Sequence, residues 1–448
     1  MRVLVLYHAG FTYTAAIAHY LHAFRDHSRH RVDFFNIDQP YDESLDFSRY
    51  DLLFVNFCVV SFFRLDESQS KTIDPTFREQ FPALLTALTR FSGPKVIGIQ
   101  DEYDFTNRVN ETFQRIGVDV ILTNVPPEGV GQIYPGFTNT RFETVQTAYL
   151  SDELLAQPHK LRPLAERSIP LGYRGRLLSY RLGDLGWHKS EVGRRFKALC
   201  LVRDVPCDIE VEEHKRFGGI AWLEFIRSCR VMLGSPSGSN VFDFDGGLHR
   251  AILALWKEMP AISYQEVRDE ICQHEVDFDM GQISARIYEA VTSRTALALV
   301  RGSYSGVVEP DEHYVPIEPD YSNVDQVLTR ILDVNAMQEM ADRTYDHVVN
   351  NPRNHYFGLV ARLDNLFEEV SRETSSTWSD DLPYQVTSSP LGTDPYLFVK
   401  LIQLRQVLEK EIDRTMAHLK LAAAGQLEVI AHPDGTYRIL KKDHVDVR

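Results

Sequence analysis

The basic residues of the chain are concentrated in one segment, and their types and spacing suit the binding of an anion. Residues 160–203 contain eleven Lys and Arg against three Asp and Glu, although the whole protein has a formal net charge of −15. Within this segment Arg174 and Arg176 follow a predicted strand, and Lys189 precedes the predicted helix start Glu191–Phe196. Guanidinium groups, an ammonium group and a helix N-terminus can converge on one diphosphate. The alternative is a solvated basic face.

Two loops of small residues offer a second kind of anion site. Gly234–Gly238 and Gly302–Gly306 have the sequences GSPSG and GSYSG, and each follows a predicted strand. Backbone N–H groups in such a loop can point at a phosphate or a sugar without obstruction by side chains. The second serine stands fourth rather than third, so neither loop is the GxSxG turn of a hydrolase. The alternative is a plain tight turn. The candidate binding residues are Ser237, Gly238, Tyr304, Ser305 and Gly306.

A carboxylate near a predicted helix start completes the candidate nucleotide contacts. Arg286 and Glu289 open a predicted helix that precedes the strand Ala296–Val300. A carboxylate in this position can accept hydrogen bonds from both hydroxyls of a ribose. The alternative is a surface glutamate that interacts favourably with the helix dipole. The sequence contains no GxxxxGK[ST], GxGxxG or HExxH motif and no kinase HRD or DFG set, which excludes those classes.

Composition and charge indicate a globular protein and argue against a nucleic-acid-binding or membrane protein. The 448 residues are 44% hydrophobic and 25% charged, values close to globular averages. The acidic surface repels nucleic acid and anionic lipid, and no apolar stretch approaches the ~20 residues of a membrane span. Five cysteines without CxxC pairs indicate reduced thiols, and the N-terminus lacks a signal-peptide pattern, so we expect a cytoplasmic protein. The sequence predicts no metal site.

The order of predicted strands and helices indicates an α/β fold with two doubly wound, Rossmann-like lobes. Residues 1–152 form the first lobe, with strands predicted at Val3–Tyr7, Arg31–Asn36, Asp51–Cys58, Lys95–Gln100 and Asp119–Thr123. Loops at the carboxyl ends of parallel strands carry the chemistry of such folds. These loops contain His8, Asp101 and Glu102, which we expect to line one crevice.

A second lobe is predicted over residues 168–350, after a polar linker at 153–167. Its strands are predicted at Ser168–Tyr173, Asp208–Glu212, Arg230–Gly234, Ala296–Val300 and Tyr314–Ile317. Residues 351–372 are predicted to form a helix that returns across the lobes. Residues 391–448 are predicted to form an appendage, with an amphipathic helix along the Leu397–Leu419 stripe and a hairpin that joins Leu427–Ala431 to Thr436–Leu440. The helix either packs on its own lobes or forms a homodimer contact.

Several segments of the chain resemble one family of enzymes. The order of lobes, linker, basic loop, helix-start glutamate and glycine loop resembles the group 1 glycosyltransferases of the two-lobed GT-B fold. More closely, the sequence resembles glycosyltransferase-like proteins of bacterial polysaccharide clusters. The likeness covers about residues 1–370. It is carried by Ile99–Tyr103, Gly172–Arg176, Ser237–Gly246, Tyr304–Gly306, His313–Ile317 and Tyr321–Asn323.

The resemblance implies transfer of a sugar from a nucleotide-sugar donor to a glycan or small-molecule acceptor, with retention of configuration. It implies that the nucleotide lies mainly on the second lobe, where an Arg and a Lys hold its diphosphate without a metal ion. Arg176 and Lys189 match those roles, with Arg174 as a competitor for the first. Glu289 matches the second of two family glutamates, whereas Gly281 stands at the place of the first. The nucleotide-sugar is a co-substrate, and no cofactor is expected.

The resemblance places the acceptor on the first lobe. A histidine often found after the fourth strand is replaced here by Gln100, Asp101 and Glu102, so either carboxylate is a candidate base or sugar ligand. His8, on the first loop, is a candidate residue facing the acceptor. Because Gly281 replaces the first family glutamate, two alternatives stay open. They are a sugar-nucleotide epimerase and a two-lobed sugar-nucleotide binding protein without catalysis.

Overall fold

The computed structural model describes residues 1–12, 14–65, 75–156, 161–259, 261–373, 427–431 and 437–441. The chain divides into two compact units, residues 1–389 and residues 390–448. The first unit contains two parallel β-sheets with helices packed against them, which confirms the α/β fold class. No helix in these described ranges is both long and apolar enough to cross a membrane.

The first lobe is built on a six-stranded parallel sheet in the order β2-β1-β3-β4-β5-β6. Its strands are β1 Arg2–Tyr7, β2 Arg31–Asn36, β3 Leu52–Val55, β4 Lys95–Gly98, β5 Val120–Thr123 and β6 Arg141–Thr144. The four central strands are almost wholly buried because helices cover both faces, so their sequences are mostly apolar runs. The helices are α1 Ala15–His27, α2 Phe57–Val60, α3 Pro75–Arg90, α4 Thr106–Ile116, α5 Val130–Ile133 and α6 Asp152–Leu155.

Two strands of this sheet differ from the prediction. β3 ends at Val55 because Asn56 caps helix α2, where its side chain accepts a hydrogen bond from the Cys58 N–H at 3.0 Å. The predicted strand Asp51–Cys58 is therefore too long. The edge strand β6 is not predicted, because its sequence RFET is only partly buried and has no apolar run.

The second lobe is built on a five-stranded parallel sheet in the order β11-β10-β9-β7-β8. Its strands are β7 Ile169–Arg174, β8 Cys207–Glu210, β9 Cys229–Gly234, β10 Ala296–Val300 and β11 Val315–Ile317, so all five predicted strands are confirmed. The helices after β7 are α7 Gly183–Val202, α8 Gly219–Ser228, α9 Gly247–Glu258, α10 Tyr264–Cys272, α11 Ala285–Thr292, α12 Val324–Ile331, α13 Val334–Val349 and α14 Tyr356–Glu373.

Helix α7 begins eight residues earlier than the sequence predicts. Lys189 is therefore the seventh residue of the helix, and the prediction that it precedes the helix is wrong. Three glycines in α7 lower its helix propensity, which is why the pattern did not reveal its first turns. One of them allows close packing, because a Cβ at Gly193 would lie 2.8 Å from the Tyr173 ring.

Helix α14 belongs to the core of the first lobe although it follows the second lobe in sequence. Tyr356 and Phe367 are buried in the hydrophobic core of the first sheet. The Tyr356 ring lies 5.6 Å from Tyr20, and the Phe367 ring stacks at 6.2 Å on Phe24. The core of the first lobe is therefore completed by α14, the last helix of the main unit that the structure describes.

The carboxyl-end loops of the two sheets contact each other directly. The Phe105 N–H, after β4, donates to the Asp243 carbonyl at 2.9 Å, and the Asn107 N–H donates to the Phe244 carbonyl at 3.0 Å. Arg181 forms an ion pair with Asp104 across the same contact. Groups on the carboxyl ends of the two sheets are thus held beside one another.

The unit at the end of the chain contains a confirmed hairpin. β12 Leu427–Ala431 and β13 Tyr437–Lys441 pair antiparallel, with Val429 opposite Ile439. The predicted amphipathic helix along Leu397–Leu419 lies outside the described residues, as does the turn between the two strands.

Candidate functional site

Lys189 brings a positive charge to the carboxyl end of the second sheet. Its Nζ donates to the Ser235 carbonyl at 3.2 Å and to Ser237 Oγ at 2.9 Å, in the loop that follows β9. Burial, together with the nearby charges of Arg286 and Arg176, lowers the pKa of Lys189 to about 7. At pH 7 the ammonium form and the neutral amine are therefore present in similar amounts.

Lys189, Arg176 and Arg286 form what we call the cation cluster. Within the described part of the chain, none of the three has a carboxylate oxygen within 4.0 Å. The Arg286 guanidinium lies over two aromatic rings, 5.4 Å from the centre of Tyr173 and 5.1 Å from Trp222, which fixes its position. Arg176 is exposed. Three neighbouring basic groups with no carboxylate oxygen within 4.0 Å could together bind a multiply charged anion.

Glu289 lies one turn after Arg286 on helix α11. One carboxylate oxygen accepts a hydrogen bond from Trp222 Nε1 at 2.6 Å, and burial raises the pKa of Glu289. Its other oxygen has no hydrogen-bond partner among the residues described. Glu289 is the fifth residue of α11 and is not exposed. This position argues against the alternative of a surface glutamate that interacts with the helix dipole.

One backbone N–H group of the loop after β9, that of Ser237, is already bonded within the protein. The Ser237 N–H donates to the Gln282 carbonyl at 2.8 Å, and the Gln282 N–H donates back at 2.7 Å. Gly238 has a φ of +100°, and a Cβ there would lie 2.2 Å from the Met280 carbonyl oxygen, so close packing explains this glycine. The Ser237 contribution to the site is its hydroxyl, because its N–H group is already bonded.

The loop after β10 has an unusual backbone. Tyr304, Ser305 and Gly306 have φ values of +46°, +54° and +71°, a left-handed run that is strained for the first two residues. Ser305 Oγ donates to Gln282 Oε1 at 3.0 Å and accepts from the Ile283 N–H at 3.2 Å. These bonds join the loop to the segment that also pairs with Ser237. Tyr304 is fully buried, so its side chain supports the loop rather than a ligand.

Arg174 has a structural environment. It is 5% exposed, pairs with Asp208 at 2.8 Å, and its guanidinium lies 4.6 Å from the Phe217 ring and 4.2 Å from the Phe225 ring. Removing one partner of such a buried pair leaves an uncompensated charge. Its contacts therefore separate Arg174 from the cation cluster, with which the sequence had grouped it.

Glu102 and Asp101 differ in environment although they are neighbours. Glu102 is 1% exposed, and its Oε1 accepts from the Thr123 hydroxyl at 2.7 Å and the Asn124 N–H at 2.6 Å. Burial raises the pKa of Glu102 to about 7. Asp101 is exposed, has a φ of +57°, and accepts from the Tyr103 hydroxyl at 2.6 Å. Asp101 can reach a ligand, whereas Glu102 holds the loops after β4 and β5 together.

We expect Glu102→Gln to change how stability depends on pH. The pKa of Glu102 is higher in the folded protein than its unfolded value of ~4.3. The wild type therefore has its largest stability advantage over the variant below pH ~4.3. This advantage falls as pH rises towards 7, by roughly 3.7 kcal/mol in total at 1.36 kcal/mol per pH unit. Urea unfolding at pH 5 and pH 8 measures the difference. The exposed Glu111→Gln variant is the control, and equal shifts in both variants would contradict the assignment.

Both ring nitrogens of His8 are engaged. Nδ1 accepts from the Gly10 N–H at 3.0 Å, which places the ring proton on Nε2, and Nε2 faces Asp38 Oδ1 at 3.5 Å. Burial among aromatic rings lowers the pKa of His8. In this arrangement His8 has no free lone pair for a substrate hydroxyl, so it positions the loop after β1.

The second lobe contains two DxD pairs, Asp243–Asp245 and Asp277–Asp279, and the first of them is bonded to backbone groups. The Asp243 carboxylate accepts from the Leu248 and His249 N–H groups at 3.2 and 2.7 Å, and Asp245 accepts from Gly247 N–H at 2.8 Å. These bonds cap the start of helix α9. Asp243 and Asp245 are therefore structural.

Two side chains at the site were not found by sequence reasoning. Gln282 Nε2 donates to the Asn124 carbonyl at 3.3 Å and so links the first lobe to the loops around the cation cluster. Trp222 orients Glu289 from 67 positions away. Neither residue carries a local signal, because each acts through a partner that is remote in sequence.

Comparisons with known proteins find likeness among solved structures only. No family model matches the sequence, and no curated protein matches it. T4 phage β-glucosyltransferase in complex with UDP-glucose is 8% identical, with a TM-score of 0.45, over 83% of this chain and 99% of that one. HepE of Anabaena in complex with UDP is 10% identical, with a TM-score of 0.45, over 82% and 100%. Pneumococcal O-GlcNAc transferase GtfA with UDP and GlcNAc is 9% identical, with a TM-score of 0.35, over 71% and 56%.

These structural neighbours are GT-B glycosyltransferases, at low sequence identity. Membership of the group 1 family stays a prediction, because no family model matches. The function is therefore argued below from the geometry of the site.

Proposed function

We propose that the protein transfers a sugar from a nucleoside diphosphate-sugar to a hydroxyl-bearing acceptor. The cation cluster is the observation that carries this proposal. Three basic groups without a carboxylate oxygen within 4.0 Å, one of them a half-buried lysine, suit the binding of a diphosphate. Cleavage of the sugar–phosphate bond leaves negative charge on the diphosphate, so fixed cations stabilise the transition state more than the ground state.

The carboxylate Glu289 supports the orientation of the donor. Its free oxygen can accept from a ribose hydroxyl, while the Trp222 N–H holds the other oxygen in place. The diphosphate then lies beside Lys189, and the sugar extends towards the loops after β9 and β10. Ser237 and Ser305 stand in those loops. The acceptor enters from the first lobe, where Asp101 is the exposed carboxylate.

Transfer with retention and without a metal ion belongs to the same proposal. The cation cluster can neutralise the leaving diphosphate, and the Asp243 and Asp245 carboxylates are bonded to backbone N–H groups. We therefore expect turnover to persist in EDTA. Loss of turnover in EDTA, restored by Mg²⁺ or Mn²⁺, would contradict metal independence. Proton NMR of the product anomer tests retention.

The test is donor turnover. The purified protein is incubated with UDP-, GDP-, ADP- and TDP-sugars, and release of the nucleoside diphosphate is measured with and without simple glycoside acceptors. Release supports transfer, with acceptor-independent release expected to be slower. Interconversion of donor epimers would indicate an epimerase, and binding in a thermal-shift assay without turnover would indicate a binding protein.

Donor-site occupation is expected to take up protons at pH 8. With a pKa of about 7, most Lys189 is neutral at this pH, and a diphosphate beside it raises that pKa. Binding should therefore take up close to one proton, and Kd should increase up to tenfold per pH unit between pH 7.5 and 9. Titration calorimetry of the tightest nucleoside diphosphate, in buffers of different ionisation enthalpy, measures this uptake. Lys189→Arg should abolish it, and equal uptake in that variant would contradict the assignment.

A further inference from the structure

A cavity that is open to solvent lies on one face of helix α7. Its volume is ≈ 880 Å³, and it is bordered by α7, the start of α10 and the turn that follows β11. Asp184, His188, Glu191 and Arg195 line it, spaced by four, three and four residues, so they share one helix face. Lys189 does not line this cavity. The cavity is therefore separate from the cation cluster.

The charges around this cavity are already balanced. Asp184 accepts from Arg268 at 2.8 and 2.5 Å and from the Tyr264 hydroxyl at 2.8 Å. Glu191, which is 8% exposed, accepts from Arg195 at 2.6 Å. The lining contains three arginines and three carboxylates in total, and each of those arginines has a carboxylate within 4.0 Å. Such a cavity has no net charge to attract a phosphate or a polyanion.

The cavity nevertheless keeps free hydrogen-bonding capacity. His188 is 95% buried, and its Nδ1 is bonded to the Tyr321 hydroxyl at 2.8 Å. Its other ring nitrogen has no partner within the described part of the chain. Burial lowers the pKa of His188 to about 4, so the ring is neutral at pH 7. The paired guanidinium and carboxylate groups also keep N–H donors and lone pairs that their partners do not use.

Aromatic rings supply the apolar part of the lining. Tyr180, Trp187 and Tyr264 line the cavity, and Trp187 stacks on Tyr264 with ring centres 5.7 Å apart. The Tyr180 ring lies 5.6 Å from Tyr264. Rings held by one another lose little freedom when a ligand binds. Fixed aromatic surface beside charge-compensated polar groups suits a ligand that is uncharged, rich in hydroxyls and apolar on one face.

We propose that this cavity binds a neutral oligosaccharide. A pyranose presents a C–H face to an aromatic ring and hydroxyls to carboxylate, guanidinium and imidazole groups. The cavity volume lies within the ~300–1,000 Å³ range of small-molecule sites. This proposal goes beyond the proposed transfer reaction and does not depend on it.

The test uses the full-length protein on an array of neutral and acidic glycans, followed by calorimetry with the neutral glycan bound most strongly. Arg195→Ala should weaken binding about tenfold or more, because a charged hydrogen-bond donor is lost. The matched control is Arg203→Ala, which also removes an exposed arginine that is paired with a carboxylate. It should leave Kd unchanged.

Three outcomes would overturn the proposal. They are binding of no neutral glycan, preference for acidic glycans, and equal loss of affinity in the two arginine variants. Lys189→Ala, which should impair the donor site, is expected to leave glycan affinity unchanged, and inorganic diphosphate should not compete. If Lys189→Ala weakens glycan binding and inorganic diphosphate competes with the glycan, while transfer activity stands, the glycan occupies the transfer site. The cavity is then not its site.

Discussion

Replacing Lys189 with alanine is expected to lower kcat for sugar transfer by about 30- to 1000-fold. The half-buried ammonium group lies beside the position proposed for the leaving diphosphate, and its loss removes charge stabilisation of about 2–4 kcal/mol. Arg286→Ala should act in the same direction. Of the three variants, Arg176→Ala should lower kcat the least, because this side chain is exposed and solvent screens its charge. Steady-state kinetics with a saturating donor measures these losses.

Lys197→Ala is the matched control for Lys189. Both residues lie on α7, but Lys197 pairs with Glu210 at an exposed position. Its kcat should equal that of the wild type. If Lys189→Ala keeps its kcat while circular dichroism shows an intact fold, the cation cluster is only a basic surface and the donor site lies elsewhere.

Glu289→Ala is expected to raise the donor KM about 10- to 100-fold while kcat changes less than about threefold. The contact to the ribose is remote from the breaking bond, so it stabilises the ground and transition states nearly equally. Hydrogen bonds to a charged group contribute roughly 1.5–3 kcal/mol, which corresponds to this range. Varying the donor at a fixed acceptor concentration separates the two constants.

Trp222→Phe provides a more conservative test of the same contact. It keeps an aromatic ring near Arg286 but removes the N–H that holds Glu289. A rise in KM smaller than that of Glu289→Ala is expected. A fall in kcat without a change in KM, in either variant, would place Glu289 at the reacting centre instead of the ribose.

Local sequence patterns were sufficient to predict most of the strands. The buried parallel strands β7, β9 and β10 are short apolar runs with clear ends, and each was predicted within one residue at both ends. β6 and the first turns of α7 were not predicted, each for a different reason. One is an edge strand without an apolar pattern, and the other is a helix whose glycines serve close packing.

The candidate site was predictable only where one residue carries its own chemistry. Lys189 and Glu289 were named as candidates because an ammonium group suits a diphosphate and a carboxylate suits a ribose, although Lys189 lies inside α7 rather than before it. The environment of each group was not predictable, since it depends on distant partners. Arg174 is paired with Asp208, 34 positions away, and the Trp222 contact of Glu289 spans 67 positions.

Because helix α14 belongs to the core of the first lobe, that core cannot be completed until most of the chain has been synthesised. Phe24 and Phe54 of the first lobe contact Phe367, which leaves the ribosome more than 200 residues after the last strand of that lobe. At ~5–20 residues per second, the unfinished core waits roughly 10–45 s for its last helix. During this interval the aromatic residues that α14 will cover are open to chaperones and to other nascent chains. A first lobe expressed alone would keep that surface exposed permanently.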